Sequence, residues 1–216
     1  MKTLKLGPNG IRILNALTER KKELDKKMEE KAKLIMNMKP EYYKNIIDKS
    51  LFDIILNEVP WVNKDAPRDE CFMALEDIEY TYGKGFTRTY KSTLMTDTVK
   101  SLMNLLNEKC GTKYDICFLN YYKTGKDHLG WHADDSPEME SSHPIGVISF
   151  GAEREIWVKL KGETGNIPDE NKFLLEDSSL FIMPAGFQEL FLHKIPKSDR
   201  IDCGARISLT FRKFKG

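Results

Sequence analysis

No stretch of this sequence is a long apolar run. None approaches the ~20 residues that a membrane-crossing helix needs, so no transmembrane segment is expected. Cysteine is scarce: Cys71, Cys110, Cys117 and Cys203 are the only four, and no two have the C-x-x-C spacing of a zinc ribbon or thioredoxin-type site. Met1–Lys5 is basic, but Gly7-Pro8-Asn9-Gly10 stands where a secretory signal needs its apolar stretch. Reduced thiols in an intracellular, soluble protein, cytoplasmic or nuclear according to host, are therefore expected. Cys117 and Cys203 lie in or beside apolar runs and should be in or near the core. Internal repeats and low-complexity segments are also lacking. Neither sign of charge dominates, and a net charge of +1 points to no partner by itself.

The 216 residues are 40% hydrophobic and 31% charged, an ordinary globular composition. Such a length suits one domain with an extension and can bury a core without covalent staples. The charge is unevenly divided. Residues 1–40 hold 11 Lys and Arg against 5 Asp and Glu, and the remainder holds 23 against 28. The basic segment reads as one helix ended by Pro40. Leu14, Leu17, Leu24, Met28, Ile35 and Met38 follow an a/d pattern, with Lys21 and Lys31 in its two gaps. Lysines in the seam weigh against a strong coiled coil and favour a helix that packs a narrow stripe on the body. Its charge also suits a polyanion. The boundaries expected are an arm over residues 1–40 and a domain over 41–216, with a second helical stretch over about 41–57.

After Pro67 the pattern turns to short β-rich runs at residues 78–82, 86–90, 116–122, 145–150, 155–160, 179–183, 189–193 and 205–212, with one helix near 96–109. Strands at this spacing, punctuated by Gly, Pro, Asp and Asn, suggest a sandwich or barrel-like fold.

His132-Ala133-Asp134 carries the chemistry. In an extended segment the two side chains share a face and can occupy adjacent positions on one metal. His193, at the end of Leu190-Phe191-Leu192, is the best candidate for a third ligand. His128 and His143 compete by composition but sit among turn residues. Two imidazoles and a carboxylate on one face of an ion are the facial triad of non-haem Fe(II) oxygenases, with open positions for O2 and a co-substrate. Polar and apolar residues alternate strictly from Arg206 to Arg212, which puts Arg206, Ser208, Thr210 and Arg212 on one face. The arginine Cα atoms would lie ~20 Å apart, so both side chains must fold inward to grip one small dianion. Asn120 and Tyr122 share a face of another strand and could complete the hydrogen bonds of the same carboxylates.

These segments together resemble the AlkB family of Fe(II)/2-oxoglutarate dioxygenases. The likeness runs over about residues 67–214 and is carried by Asn120-Tyr121-Tyr122, Asp127–Asp135, Pro144–Gly151, Ser179–Met183, His193–Pro196 and the R-x5-R of Arg206 and Arg212. It looks closest to the branch that repairs alkylated duplex DNA. The resemblance implies an α+β, mainly β, fold with a double-stranded β-helix (jelly-roll) core, flanking helices and the N-terminal helical arm. It implies that His132, Asp134 and His193 hold Fe(II), and that Asn120, Tyr122, Arg206, Ser208, Thr210 and Arg212 bind 2-oxoglutarate as co-substrate beside O2. Tyr80, Tyr82 and Asp135 would bound a pocket for an extruded base. Trp61 would be either a base-displacing wedge or a buried side chain. The expected activity is oxidative demethylation of N-alkylated bases in nucleic acid, DNA ahead of RNA, by a monomer without a membrane partner. An AlkB-like hydroxylase of a peptide or small molecule is the alternative, favoured by the acidic body, and a binding module with a degenerate centre is the third reading.

Overall fold

The structure is a computed structural model that describes residues 8–63, 65–82 and 88–215. The side chain of Tyr82, an expected pocket residue, lies outside the described set. The chain divides into two units, residues 1–39 and 40–216. The first contains α1 (Pro8–Asn37), a 30-residue helix. Its surface carries the i,i+3 and i,i+4 pairs Lys22–Glu19 and Lys27–Glu23 at 2.9 and 2.8 Å. Leu17, Leu24 and Met28 of its apolar stripe are exposed.

The second unit runs β1 (Glu41–Tyr43), α2 (Leu51–Glu58), β2 (Asp69–Ala74), β3 (Glu79–Tyr82), β4 (Arg88–Lys91), β5 (Thr93–Leu94), α3 (Asp97–Cys110), β6 (Ile116–Tyr122), β7 (Leu129–His132), β8 (Ile145–Gly151), β9 (Arg154–Leu160), β10 (Lys172–Leu175), β11 (Ser179–Met183), α4 (Phe187–Leu190), β12 (Phe191–Ile195) and β13 (Arg206–Arg212). A seven-stranded sheet has the order β1-β11-β8-β13-β6-β2-β5, and a four-stranded sheet the order β10-β9-β12-β7. β3 and β4 form a hairpin of their own. The jelly-roll expectation holds, with open sheet edges rather than a closed barrel.

Two of the expected elements need correction. Residues 41–57 are not one helix: Glu41–Tyr43 pairs with β11, and helix begins only at Leu51. Tyr42 and Tyr43 suit a strand better than a helix, and Asn45 breaks the segment with φ at 51°. Likewise, residues 189–193 do not form one strand, because the short helix α4 occupies Phe187–Leu190 before β12 begins. The expected helix near 96–109 is α3. Thr96 caps it by accepting the Val99 N–H, and Gly111 ends it at φ 62°, which a residue without a Cβ adopts freely.

Apolar packing assigns the two faces of the large sheet. On one side Ile207, Leu209 and Phe211 of β13, with Leu119, Ile148 and Phe150, pack against Ile55 of α2 and Val99, Leu102, Met103 and Leu106 of α3. On the other side Tyr122, Val147 and Phe181 meet Ile156, Val158, Leu175 and Ile195 of the small sheet. β13 is therefore buried on both faces. Its polar residues cannot reach bulk solvent and must find partners inside. Gly151 ends β8 at φ 82°, where a Cβ would strike the Ala205 carbonyl oxygen, so the turn into β9 requires glycine.

Because Leu209 is fully enclosed between β13 and the helices, Leu209→Ala should lower unfolding stability by about 3 kcal/mol. Urea denaturation checks this. A loss below about 1 kcal/mol would show that the helices do not seal that face.

Candidate active site

The expected metal ligands come from three separate places. His132 ends β7, Asp134 lies just past that strand, and His193 is the central residue of β12. His193 and His132 stand directly opposite each other across the antiparallel pair. Two residues further, Ile195 faces Leu129 rather than residue 130. Gly130 and Trp131 thus stand against the single Lys194, a bulge that turns both Leu129 and His132 inward.

One ligand atom from each of His132, Asp134 and His193 lies within 4.8 Å of the others. The Nε2 atoms of His132 and His193 are each 3.8 Å from an Asp134 carboxylate oxygen. Burial depresses the pKa of both imidazoles, and for His193, which also faces His132, the value falls to about 3. Both rings are consequently neutral at physiological pH, as metal ligation requires. His132 Nδ1 lies 2.9 Å from the Gly130 carbonyl. With the proton on Nδ1 the ring donates there and turns the Nε2 lone pair toward the other two ligands. Burial opposes ionisation of Asp134, yet Arg212 above all, with the two histidines, holds its carboxyl below the usual range. Arg212 Nη2 sits 2.7 Å from Asp134 Oδ1. The Asp134 N–H donates to Gln188 Oε1 at 3.0 Å, so α4 also fixes the ligand's backbone.

The triad opens into a cavity of about 110 Å³ between the sheets. The register of β13 with β6 sets Arg206 beside Tyr122 and Ser208 beside Asn120. All four residues line this cavity, as do Thr210, Arg212 and Tyr80. Arg206 is 1% exposed. Its Nη2 donates to Ser149 Oγ at 2.9 Å, and its Nε and Nη1 have no partner among the described residues. Enclosing a guanidinium without an anion is costly, and burial accordingly lowers its pKa. A carboxylate entering the cavity would satisfy the fork. Both arginines line the cavity: Arg212 is paired with Asp134, and Arg206 still presents donors.

Asp135 does not line this cavity. It pairs with Lys161 at 2.9 Å and borders a neighbouring cavity of about 330 Å³, where His143 also lies. His128 stays outside the triad, with Nδ1 3.3 Å from the Lys126 carbonyl. Trp61 is half-buried. Its Nε1 donates to the Leu56 carbonyl at 3.0 Å and its ring packs on the core beside Tyr121, so it is a packing residue rather than a free wedge. All four cysteines are free, with Cys71 and Cys117 buried and Cys203 only partly so.

Sequence reasoning missed two polar lining residues, Arg68 and Tyr90, and Glu70, which joins them. Arg68 donates through Nε to Asn120 Oδ1 and through Nη2 to Glu70 Oε1, both at 2.6 Å. Tyr90 donates to Glu70 Oε2 at 3.3 Å and stacks on Tyr80, with centroids 5.5 Å apart. The charged run Arg68-Asp69-Glu70 reads as a surface turn, and only strand pairing with β6 shows it to be buried.

The donor set, two neutral imidazoles and a carboxylate with an open side, fits a divalent iron ion, and the buried fork of Arg206 fits a carboxylic acid beside it. Together with the jelly-roll these define the non-haem iron oxygenase class. Residues 55–212 match the 2OG-Fe(II) oxygenase superfamily, and the chain belongs to it. Its curated relatives include AlkB homologues. It is 27% identical to DNA oxidative demethylase ALKBH2 of Arabidopsis thaliana over 192 residues, covering 76% of this chain and 61% of that one. To ALKBH2 of Mus musculus it is 30% identical over 152 residues, or 68% and 62% of the two chains. To alpha-ketoglutarate-dependent dioxygenase alkB homolog 3 of Homo sapiens it is 27% identical, covering 79% and 64%. The chain thus spans about three fifths of these relatives' length. Among solved structures, that of OsALKBH1 superposes with a TM-score of 0.54 at 14% identity, over 81% of this chain and 96% of that one, a likeness of fold. Among the described residues no helix is long and apolar enough to cross a membrane.

Arg206→Met removes a buried cation that lacks two partners, so the metal-free protein should be at least as stable as wild type. The same change should weaken 2-oxoglutarate binding roughly 100-fold, the equivalent of about 3 kcal/mol for a buried charge-assisted pair. Calorimetric titration of the Mn(II)-loaded protein and thermal melts separate the two effects. Unchanged affinity would remove Arg206 from the site.

Proposed function

We propose that this chain is an Fe(II)- and 2-oxoglutarate-dependent dioxygenase that oxidatively demethylates N-alkylated bases in nucleic acid, with DNA ahead of RNA. The observation that carries this reading is the convergence of His132, Asp134 and His193 beside the buried, part-satisfied Arg206 in one aromatic-walled cavity. The names of the relatives, which include DNA oxidative demethylases, support the choice of substrate.

His132, Asp134 and His193 would hold the iron. When bound with 2-oxoglutarate and O2, it supplies the oxidising power that hydroxylates a C–H bond while the co-substrate becomes succinate and CO2. The protein's own groups bind and orient. Arg206, backed by Ser149, takes the co-substrate's carboxylate, while Asn120, Tyr122, Ser208 and Thr210 line its seat. Arg212 keeps Asp134 ionised and in place. Phe118, Tyr80 and Tyr90 offer flat apolar walls to a base, with Phe118 edge-on to Tyr90 at 5.0 Å between centroids. Ile156, Val158, Leu175 and Ile195 exclude water from the interior between the sheets.

A methyl carbon on a base nitrogen cannot reach a cavity of this kind while the base is stacked, so the base is flipped out or comes from a single strand. Hydroxylation of that carbon gives an N-hydroxymethyl base, which releases formaldehyde and the unmodified base. Residues 1–40, set apart as a basic arm from the domain over 41–216, would add electrostatic hold on the polyanion.

The test is incubation with a panel of N-methylated single- and double-stranded oligonucleotides, Fe(II) and 2-oxoglutarate, read by mass. Loss of one methyl group with stoichiometric succinate is the expected result. Succinate formation without any change in mass across the panel would instead favour a peptide or small-molecule substrate.

A further inference from the structure

The Arg68 network has a consequence for the co-substrate site. Asn120 offers one acceptor and one donor end in a confined place. Its Oδ1 accepts from Arg68 Nε at 2.6 Å. Turning the amide over would set its NH2 against that N–H, donor against donor. The bond therefore fixes which end faces the cavity. Among the described residues the Asn120 amide nitrogen has no hydrogen-bond partner, and it belongs to the lining that includes Ser208, its strand neighbour, and Arg206.

Arg68 is itself held. Its Nη2 binds Glu70 Oε1 at 2.6 Å, and the two side chains are 11% and 3% exposed. Glu70 in turn accepts from Tyr90. Its strand, β2, pairs with β6 so that Glu70 lies opposite Asn120 itself. The chain of contacts Tyr90–Glu70–Arg68–Asn120 thus links three residues of one cavity's lining through Glu70, from its aromatic side to the row of polar groups on β6 and β13. A guanidinium is suited to this task because its planar fork serves two acceptors at once, which a lysine ammonium on a flexible stem does not do with fixed geometry.

We infer that Arg68 is a positioning residue for the co-substrate: by gripping the Asn120 carbonyl while braced on Glu70, it turns the Asn120 NH2 toward the carboxylate of 2-oxoglutarate. This rests on the co-substrate role proposed above for Asn120, and it assigns Arg68 and Glu70 a part in binding without either touching the reacting atoms. Arg68 acts through Asn120 alone, so removing both residues should cost no more than removing either.

The experiment is calorimetric titration of 2-oxoglutarate into the Mn(II)-loaded full chain, for wild type, Arg68→Gln, Arg68→Lys, Asn120→Ala and the Arg68→Gln/Asn120→Ala double variant. Arg68→Gln and Asn120→Ala should each weaken binding about tenfold, or about 1.4 kcal/mol. The double variant should match the singles, and Arg68→Lys should not restore affinity. Affinity for Mn(II) should stay at the wild-type value in every variant, which a general collapse of the site would not allow. Should Arg68→Gln fail to fold, Glu70→Gln keeps an acceptor for Arg68 and should show a smaller loss of the same kind. Additive losses in the double variant, or wild-type affinity in Arg68→Gln, would overturn the assignment. No nucleic acid enters this titration, so an additive result would leave oligonucleotide demethylation standing, and failure of demethylation would leave the coupling between Arg68 and Asn120 intact.

Discussion

The buried ion pair between Arg212 and Asp134 is the constraint on which the site depends. At 2.7 Å it ties the central strand of the large sheet to the segment that leaves the small one. Both partners are almost wholly enclosed. Removing either would strand a charge in a medium that solvates it poorly, at a cost of about 3–5 kcal/mol. The pair therefore fixes where Asp134 can be. Once Asp134 is placed, the facing histidines of β7 and β12 complete a three-atom cluster without further adjustment. The pull of Arg212 also keeps the carboxylate charged despite its burial, so that the cluster offers an ion one anion and two neutral nitrogens.

From that constraint follows the division of labour along β13. Ile207, Leu209 and Phe211 seal the sheet against α2 and α3, while Arg206, Ser208, Thr210 and Arg212 must spend their polarity inside. One arginine finds a protein carboxylate. The other meets a serine hydroxyl and the Tyr122 ring, and two of its donors, without a hydrogen-bond partner among the described residues, suit a small acid. If Arg206 takes the co-substrate as proposed, stability and binding are opposed there, a common signature of a functional position. Apolar side chains from both sheets pack around the cavity, and charges act more strongly in such low-dielectric surroundings.

Much of this was legible in the sequence because it is written in short-range spacing. The alternation over 206–212 states which residues share a face, and His132-Ala133-Asp134 places two ligands together whatever the wider fold. The rhythm of strands and turns gave a sandwich or barrel-like fold, and the jelly-roll came only with the family resemblance. What stayed hidden depends on partners distant in sequence. β2 begins with Asp69-Glu70, which reads as surface; Lys123 and Asn63 satisfy Asp69, while Arg68 and Tyr90 satisfy Glu70. The bulge at Gly130 and Trp131 breaks the period of two, so strict alternation would have put Leu129 and His132 on opposite faces. β1 and α4 were misread because three or four residues carry too little periodicity to separate strand from helix. The pairing of Arg212 with Asp134 could not be seen either, since only the tertiary placement of Asp134 decides which arginine it meets.

The most direct measurement is a crystal structure grown without oxygen in the presence of Mn(II) and 2-oxoglutarate. One ion held by the Nε2 atoms of His132 and His193 and the Asp134 carboxylate, with a carboxylate of 2-oxoglutarate on Arg206, is the expected result. An ion bound through His128 or His143, or a co-substrate seated away from Arg206, would contradict the reading of this cavity as the active site.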